Sequence, residues 1–196
     1  MAPAWGPDLV TGADGRPRCP WGVSAPEYVD YHDHEWGRFV RDDAGIYERI
    51  VLESFQSGLS WLTILRKREH FRRAFAGFDL ATVAGFDDAD RARLLDDAGI
   101  IRNRTKIEAA IANARAALEL PGGVAALVWS HAPDQNDRPA PVTVADVPSV
   151  TDESTAMARD LKRHGFRFIG PTTAYALMQA CGLVNDHLAG CAFRDR

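Results

Sequence analysis

Two cysteines and two histidines, one couple near each end of the chain, constrain what this sequence can fold into more than any other feature. Cys19 and His32 lie near the start, and His187 and Cys191 lie near the end. Thiolate and imidazole at tetrahedral distance are the ligands that Zn²⁺ prefers, so the two ends are expected to meet at one shared metal site. Four protein ligands leave no open position for a reacting water. The expected metal is therefore a structural clasp, and any chemistry has to lie between the two ends.

A chain of 196 residues with 46% hydrophobic content can bury one substantial core, so one domain with room for two lobes is expected. No apolar run reaches the about 18 residues of a membrane span, and no charged-then-apolar leader opens the chain; a cytoplasmic protein is expected. The cysteine count is three, an odd number. In a reducing compartment two of them suit a metal better than a disulfide, which leaves Cys181 as an expected buried thiol.

The net charge of −4 argues mildly against a nucleic-acid partner, but distribution matters more than the sum. Basic residues gather in Arg66-Lys67-Arg68 with Arg72-Arg73, in Arg102, Arg104 and Lys106, and in Lys162-Arg163 with Arg167. Each cluster alone reads as a solvated helix face. Their recurrence beside turns and helix starts favours a phosphate-backbone partner.

The pattern is helical throughout. Ser24 and Glu27 are spaced as a capping box with Pro26 in the first turn, which predicts a short helix carrying Tyr28, Tyr31 and His32. Asp42-Asp43 cap a second helix with Ile46, Tyr47, Ile50 and Val51 at helical spacing, and Gly58 breaks it. Ser60 caps a third through Trp61, Ile64, Leu65 and Phe71. Another helix runs from Asp87 to Gly99. Ile107, Ala110, Ile111, Ala114 and Leu118 trace an apolar stripe that stops at Pro121-Gly122-Gly123. Four prolines from Pro133 to Pro148 mark the one long irregular loop, a candidate linker or mobile segment. Thr151 starts the next helix, Gly165 ends it, and Pro171 opens the last. With no strand-like alternation of useful length, the expected class is all-α.

Three features carry chemistry. Gly165-Phe166-Arg167-Phe168-Ile169-Gly170-Pro171-Thr172-Thr173-Ala174 joins two helices, and a tight glycine-bearing turn feeding a helix N-terminus aims backbone N–H groups at an anionic oxygen. An ordinary αα turn has the same spacing. Glu53 falls beside Ile46 and Ile50 at the edge of the apolar stripe, where a carboxylate is costly unless it is hydrogen-bonded or paired; a glutamate reaching solvent or an arginine is the plainer alternative. Trp21, Tyr28, Tyr31, Trp36 and Trp61 all lie near the first three helices. Such aromatics serve as core, or they ring a carboxylate to form a pocket for a flat, electron-poor heterocycle.

Several ordered motifs then carry a resemblance. Cys19-Pro20-Trp21, Tyr31-His32-Asp33-His34-Glu35-Trp36-Gly37, Leu52 through Trp61, Lys67-Arg68-Glu69, Ala98 through Arg102 and Met178 through Cys191 are similar to the bacterial DNA-3-methyladenine glycosylase I family, and the 165–174 hairpin resembles that of the helix-hairpin-helix DNA-binding motif. The similarity runs from about residue 18 to 191. Residues 1–17 fall outside it and are expected to be a flexible extension, with the glycosylase domain spanning 18–196. The resemblance implies a two-lobed, helix-hairpin-helix glycosylase fold whose N- and C-terminal segments are joined by one structural Zn²⁺ on Cys19, His32, His187 and Cys191. It implies a monomeric, monofunctional enzyme that flips 3-methyladenine out of double-stranded alkylated DNA in base excision repair and releases it as free base.

Carried over residue by residue, the family's pocket glutamate falls on Glu53, its tyrosine on Tyr31 and its stacking tryptophan on Trp61, with Trp21 a second pocket aromatic. Gln56, Ser57, Gly58 and Leu59 fall where relatives plug the gap left by the extruded nucleotide. Phe168, Ile169, Gly170, Thr172 and Thr173 belong to the phosphate-holding hairpin. Asp186 lies in the general region where some helix-hairpin-helix glycosylases place a catalytic aspartate. Its spacing from Ala174 is short and it adjoins a metal ligand, so a supporting role at the metal loop or a helix end is expected of it. Arg38-Phe39-Val40 and Ser54-Phe55 depart from the family pattern. No lysine sits in the pocket motifs, so lyase chemistry is not expected.

Overall fold

The computed structural model describes residues 8–134 and 138–195 of the chain. Nine α-helices are described: α1 (Pro26–His34), α2 (Asp43–Gln56), α3 (Trp61–Ala74), α4 (Leu80–Ala84), α5 (Asp88–Asp96), α6 (Arg104–Leu118), α7 (Gly123–Trp129), α8 (Asp152–Arg163) and α9 (Pro171–Ala180). A short antiparallel pair, β1 (Val10–Thr11) with β2 (Pro17–Arg18), precedes them. The boundary expected at residue 17 falls inside this pair. Residues 1–7 of the expected extension lie outside the described residues.

Side chains that accept otherwise orphaned N–H groups start most of these helices. Asp42 accepts from Gly45 N–H, Ser60 from Thr63 N–H, and Asn103 from Lys106 N–H. Reciprocal capping boxes open α5 at Asp87 and α8 at Thr151. The start of α1 departs from expectation. Its N-cap is Ala25, and the Ser24 hydroxyl turns back to donate to the Trp21 carbonyl at 2.7 Å, closing the preceding 3-10 turn. At Pro121-Gly122-Gly123 the helical path resumes at once as α7. The α7 N–H of Ala125 finds its acceptor in the Asp43 carboxylate of α2 at 2.7 Å, a tertiary cap that no local spacing reveals.

Two cores share one helix. Ile46 and Ile50 of α2 pack with α7, α8, α9 and the chain that follows α9. Tyr47, Val51, Leu52 and Phe55, on the other faces of the same helix, pack with α3, α4, α5 and the first turns of α6. Helix α6 bridges likewise, giving Ile107 through Ala114 to one core and Ala117 to the other. Leu118, expected in its stripe, is 52% exposed because the helix has already rotated out of the seam. A third, smaller cluster of Cys19, Leu188, Cys191 and Phe193 joins the two ends of the chain. Cys181 is fully buried in the first core, as expected. No described helix is long and apolar enough to cross a membrane.

Ile50 is buried in the first core, packed among α7, α8 and α9, and cannot be shortened without leaving a cavity. Ile50→Ala is expected to cost about 2–5 kcal/mol of stability, read as a lowered midpoint in urea unfolding with an unchanged slope.

Candidate active site

The four clasp residues come together. One ligand atom each from Cys19, His32, His187 and Cys191 lie within 4.8 Å of one another, and all four residues are buried. The Sγ–N separations are 3.6 Å for Cys191–His187, 3.7 Å for Cys191–His32 and 3.9 Å for Cys19–His187. A tetrahedron with sulfur ligands at about 2.3 Å and nitrogen ligands at about 2.0–2.1 Å has sulfur–nitrogen edges of about 3.6 Å. The second ring nitrogens are also in order. His32 Nδ1 meets Asp33 Oδ1 at 2.8 Å, leaving Nε2 for a metal, and His187 Nε2 meets the Trp36 carbonyl at 3.1 Å, leaving Nδ1. Asp33 is in turn gripped by Arg18 through two nitrogens, at 2.9 and 2.7 Å. This outer layer is what fixes the ring orientation of a metal-binding histidine. Donor set, spacing and support suit a four-coordinate metal.

Beside the clasp lies a cavity of about 430 Å³. One side is aromatic: Trp21, Tyr28, Tyr31, Trp36 and Trp61 line it, with Glu53 and Gln56 from the C-terminal half of α2. Trp21 is delivered by the 3-10 turn that follows Cys19, and packs edge-on against Trp36 at 4.9 Å and His32 at 5.1 Å. Tyr31 lies between Trp61 at 5.3 Å and Trp21 at 6.2 Å. The Trp61 Nε1–H has no hydrogen-bond partner among the described residues. The other side, which sequence reasoning did not foresee, comes from Ala176 and Gln179 of α9, Asp186 and Leu188 of the metal loop, and Val144 and Val147 of the proline-rich segment.

Glu53 is 6% exposed, and burial without a compensating charge pushes its carboxyl up to about 8. Burial, then the neighbouring Glu53 carboxylate, hold the Tyr31 phenol well above its ordinary range, so it remains an O–H donor. Asp186 contrasts with Glu53. It accepts from Tyr175 Oη at 2.5 Å, Gln179 Nε2 at 2.9 Å and Arg138 Nη2 at 3.0 Å. The supporting role expected for Asp186 fits this saturation.

The two candidate DNA-contacting segments are each held by a residue of α6. One of them, Lys106, counted above with a basic cluster that favours a phosphate partner, is instead buried with its charge turned inward onto backbone carbonyls. Lys106, buried on α6, donates from Nζ to the Phe55 carbonyl at 2.9 Å and the Ser57 carbonyl at 2.6 Å. It ties down the exposed turn of Ser57, Gly58 and Leu59, where Gly58 has φ +83. Asn113, also on α6, clamps the hairpin by accepting from Arg167 N–H at 2.7 Å and donating to its carbonyl at 3.1 Å. Ser54, adjacent to Glu53, donates to the Ile50 carbonyl at 2.7 Å and lies 3.4 Å from the Phe168 carbonyl. Phe168 stands 41% exposed in the left-handed region at φ +61, next to exposed Gly170 and Thr172 and the half-buried Ile169 and Thr173. Two departures from the family pattern thereby gain a place: Ser54, its proton given to the Ile50 carbonyl, lies against the hairpin at Phe168, and Arg38 donates to the Phe193 carbonyl at 2.8 Å near the clasp.

Glu53 has a pH signature. Its ordinary pKa of 4.5 rises to about 8 on folding, so between these values the folded chain holds a proton that the unfolded chain releases. Stability contributed by this group therefore falls as pH rises through that window, by at most about 1.4 kcal/mol per pH unit. Glu53→Gln should remove the slope, with a melting-temperature gain over wild type that is larger at pH 8 than at pH 5.

Comparisons with known proteins place the chain in a family. The methyladenine glycosylase family model matches residues 21–195. DNA-3-methyladenine glycosylase 1 of Escherichia coli (strain K12) is 45% identical over 177 residues, which cover 89% of this chain and 95% of that protein. A crystal structure of 3-methyladenine DNA glycosylase I superposes with a TM-score of 0.83 at 44% identity, covering 89% of this chain and 98% of that one. A tyrosine-to-phenylalanine variant of such an enzyme, crystallised in complex with 3-methyladenine, gives 0.83 at 34% identity over 91% of this chain and 98% of that one. With the family model spanning almost the whole described fold, this chain belongs to the methyladenine glycosylase family.

Proposed function

We propose that this protein is a monofunctional DNA glycosylase that excises 3-methyladenine from alkylated double-stranded DNA, as the first step of base excision repair in the bacterial cytoplasm. The observation that carries the reading is an aromatic-lined cavity with one buried carboxyl, Glu53, that has no charged partner among the described residues. A base inside a duplex is out of reach, so it must be flipped out, and a damaged base with weakened pairing costs less to extract. The exposed turn of Ser57, Gly58 and Leu59, next to the lining residue Gln56, would fill the gap left behind. The hairpin from Phe168 to Thr173 offers backbone N–H groups to a phosphate.

Methylation at N3 makes the base cationic. A cation entering the cavity supplies the counter-charge that Glu53 lacks, so the carboxyl ionises and accepts hydrogen bonds from the base edge. Neutral adenine offers no such charge, and for it the cost of ionising Glu53 stays uncompensated. Trp61 and Trp21 stack on the base, and the Tyr31 hydroxyl gives a directional contact. When the bond from C1′ to the base nitrogen breaks, its electron pair neutralises the methylated ring, which leaves as free 3-methyladenine. Water adds to C1′ and loses a proton. No step needs a covalent lysine. Lys106 is occupied on two carbonyls outside the cavity lining.

Cys19, His32, His187 and Cys191 would hold one Zn²⁺, which neutralises the thiolates and cross-links the two ends of the chain without entering the reaction. Trp21 is two residues from Cys19, and Tyr31 adjoins His32. The clasp thus holds two pocket aromatics at their backbone.

Two measurements test this reading. Wild type is expected to release 3-methyladenine, with little 7-methylguanine, from methylated duplex DNA resolved by chromatography. Glu53→Gln should slow release by about 10–100-fold, the worth of one hydrogen bond to a charged group. No release by metal-replete wild type would overturn the activity. Cys191→Ala is expected to abolish stoichiometric zinc by metal analysis and to lower the melting temperature; unchanged melting would remove the structural role of the clasp.

A further inference from the structure

Besides Glu53 and Gln56 of α2 and Ala176 and Gln179 of α9, the non-aromatic lining of the cavity comes from largely irregular chain, including Val144 and Val147. From Arg138 to Val150 the only regular element is one 3-10 turn, Val144–Asp146. The position of such a segment depends on its few anchors. Arg138 Nη2 donates to both Asp186 Oδ1 and Tyr175 Oη, each at 3.0 Å. The Pro141 carbonyl accepts from Ala189 N–H at 2.7 Å, and Val144 N–H donates to the Asp8 carboxylate at 2.8 Å. Within the segment, the Asp146 carboxylate accepts from Val142 N–H at 3.0 Å and Thr143 N–H at 2.7 Å, which fixes the turn that carries Val144 and Val147.

Two details set this wall apart from ordinary packing. Val144 is 52% exposed and yet lines the cavity, so it is placed at the mouth rather than in a core. The charge that pins the segment is Asp186, which also lines the cavity and is 3% exposed. The anchor of the wall and the base-facing surface therefore share one side chain.

We infer that Arg138 and Asp186 are positioning residues that hold the Val144–Val147 turn as the second wall of the base pocket, and that this wall takes part in selecting the base. The inference rests on the reading of the cavity as a base pocket. Removing the Arg138 guanidinium leaves Tyr175 and Gln179 to hold Asp186, so the core stays filled. The segment meanwhile loses its tie to Asp186 and keeps the Pro141–Ala189 and Val144–Asp8 hydrogen bonds.

Equilibrium binding of free 3-methyladenine and steady-state excision, measured on the full chain, separate the possibilities. Arg138→Met is expected to weaken 3-methyladenine binding about tenfold and to raise KM more than it lowers kcat. Arg138→Lys, which can still donate to both Asp186 and Tyr175, should recover most of the affinity. Val144→Ala, at a half-exposed site, serves if Arg138→Met fails to fold. It should change the ratio of affinities for 3-methyladenine and the bulkier 3-ethyladenine by at least about threefold. Wild-type affinity in Arg138→Met, or an unchanged ratio in Val144→Ala, overturns the wall while leaving the pocket intact. Failure of wild type to bind 3-methyladenine overturns the pocket reading and the wall with it.

Discussion

Helix α2 has to satisfy two cores at once, and the rest of the molecule is arranged around that requirement. Its residues Ile46, Tyr47 and Ile50 through Phe55 are all buried, so along its C-terminal turns there is no solvent-facing side on which a polar group is free of cost. Glu48 and Arg49 reach the surface earlier in the helix. Where such a helix carries a carboxylate, the surrounding chain must either supply a partner or leave a space that a ligand will fill. Here it does the second. Tyr31, Trp61 and Trp21 stand around Glu53 without neutralising it, and Ser54, one residue on, lies against the hairpin. One turn of helix thus borders both the base site and the segment suited to the DNA backbone.

The clasp solves a related problem at the chain ends. The segment around Cys19 and the loop around His187 belong to no long helix, and the small cluster they share buries little apolar surface. A metal on four side chains would concentrate the cross-link where packing is thin. The outer layer extends into the β1–β2 hairpin: Arg18, which grips Asp33, also takes the Asp14 carboxylate at 2.7 and 2.8 Å. The first described residues therefore contribute to the orientation of His32, and through Trp21 and Tyr31 to the aromatic side of the pocket.

What was legible in the sequence follows from the range of each interaction. Caps at Asp42, Ser60, Asp87 and Thr151, the stripe of α6 and the breaks at Gly58 and Gly165 are local, and spacing reveals them. The clasp and the aromatic half of the pocket lie on motif-dense segments, so the family resemblance reached them. The other half was out of reach. Val144, Val147, Ala176 and Gln179 carry no chemical signature, and only tertiary packing brings them to the cavity. Asn113 and Lys106 resemble any polar residue on a helix until the carbonyls they bind are known. Ser24 misled for the same reason: its capping-box spacing was sound, but the Trp21 carbonyl of the preceding turn was a nearer acceptor.

The two carboxyl groups that face the cavity show how one pocket can be both stable and selective. Asp186 has three donors, one of them cationic, so its charge is met within the protein and costs the fold little. Glu53 has no such set, and burial holds its proton to about 8. At neutral pH an empty cavity therefore carries little net charge on its aromatic side, and its stacking surfaces alone do not distinguish a cationic base from a neutral one. A cationic base changes the balance, because ionising Glu53 then forms a pair instead of leaving an isolated buried charge. On the function proposed for this pocket, leaving Glu53 unpartnered is what would make the discrimination possible: a fixed arginine beside it would stabilise the fold and remove the reason to prefer a methylated base over a normal one.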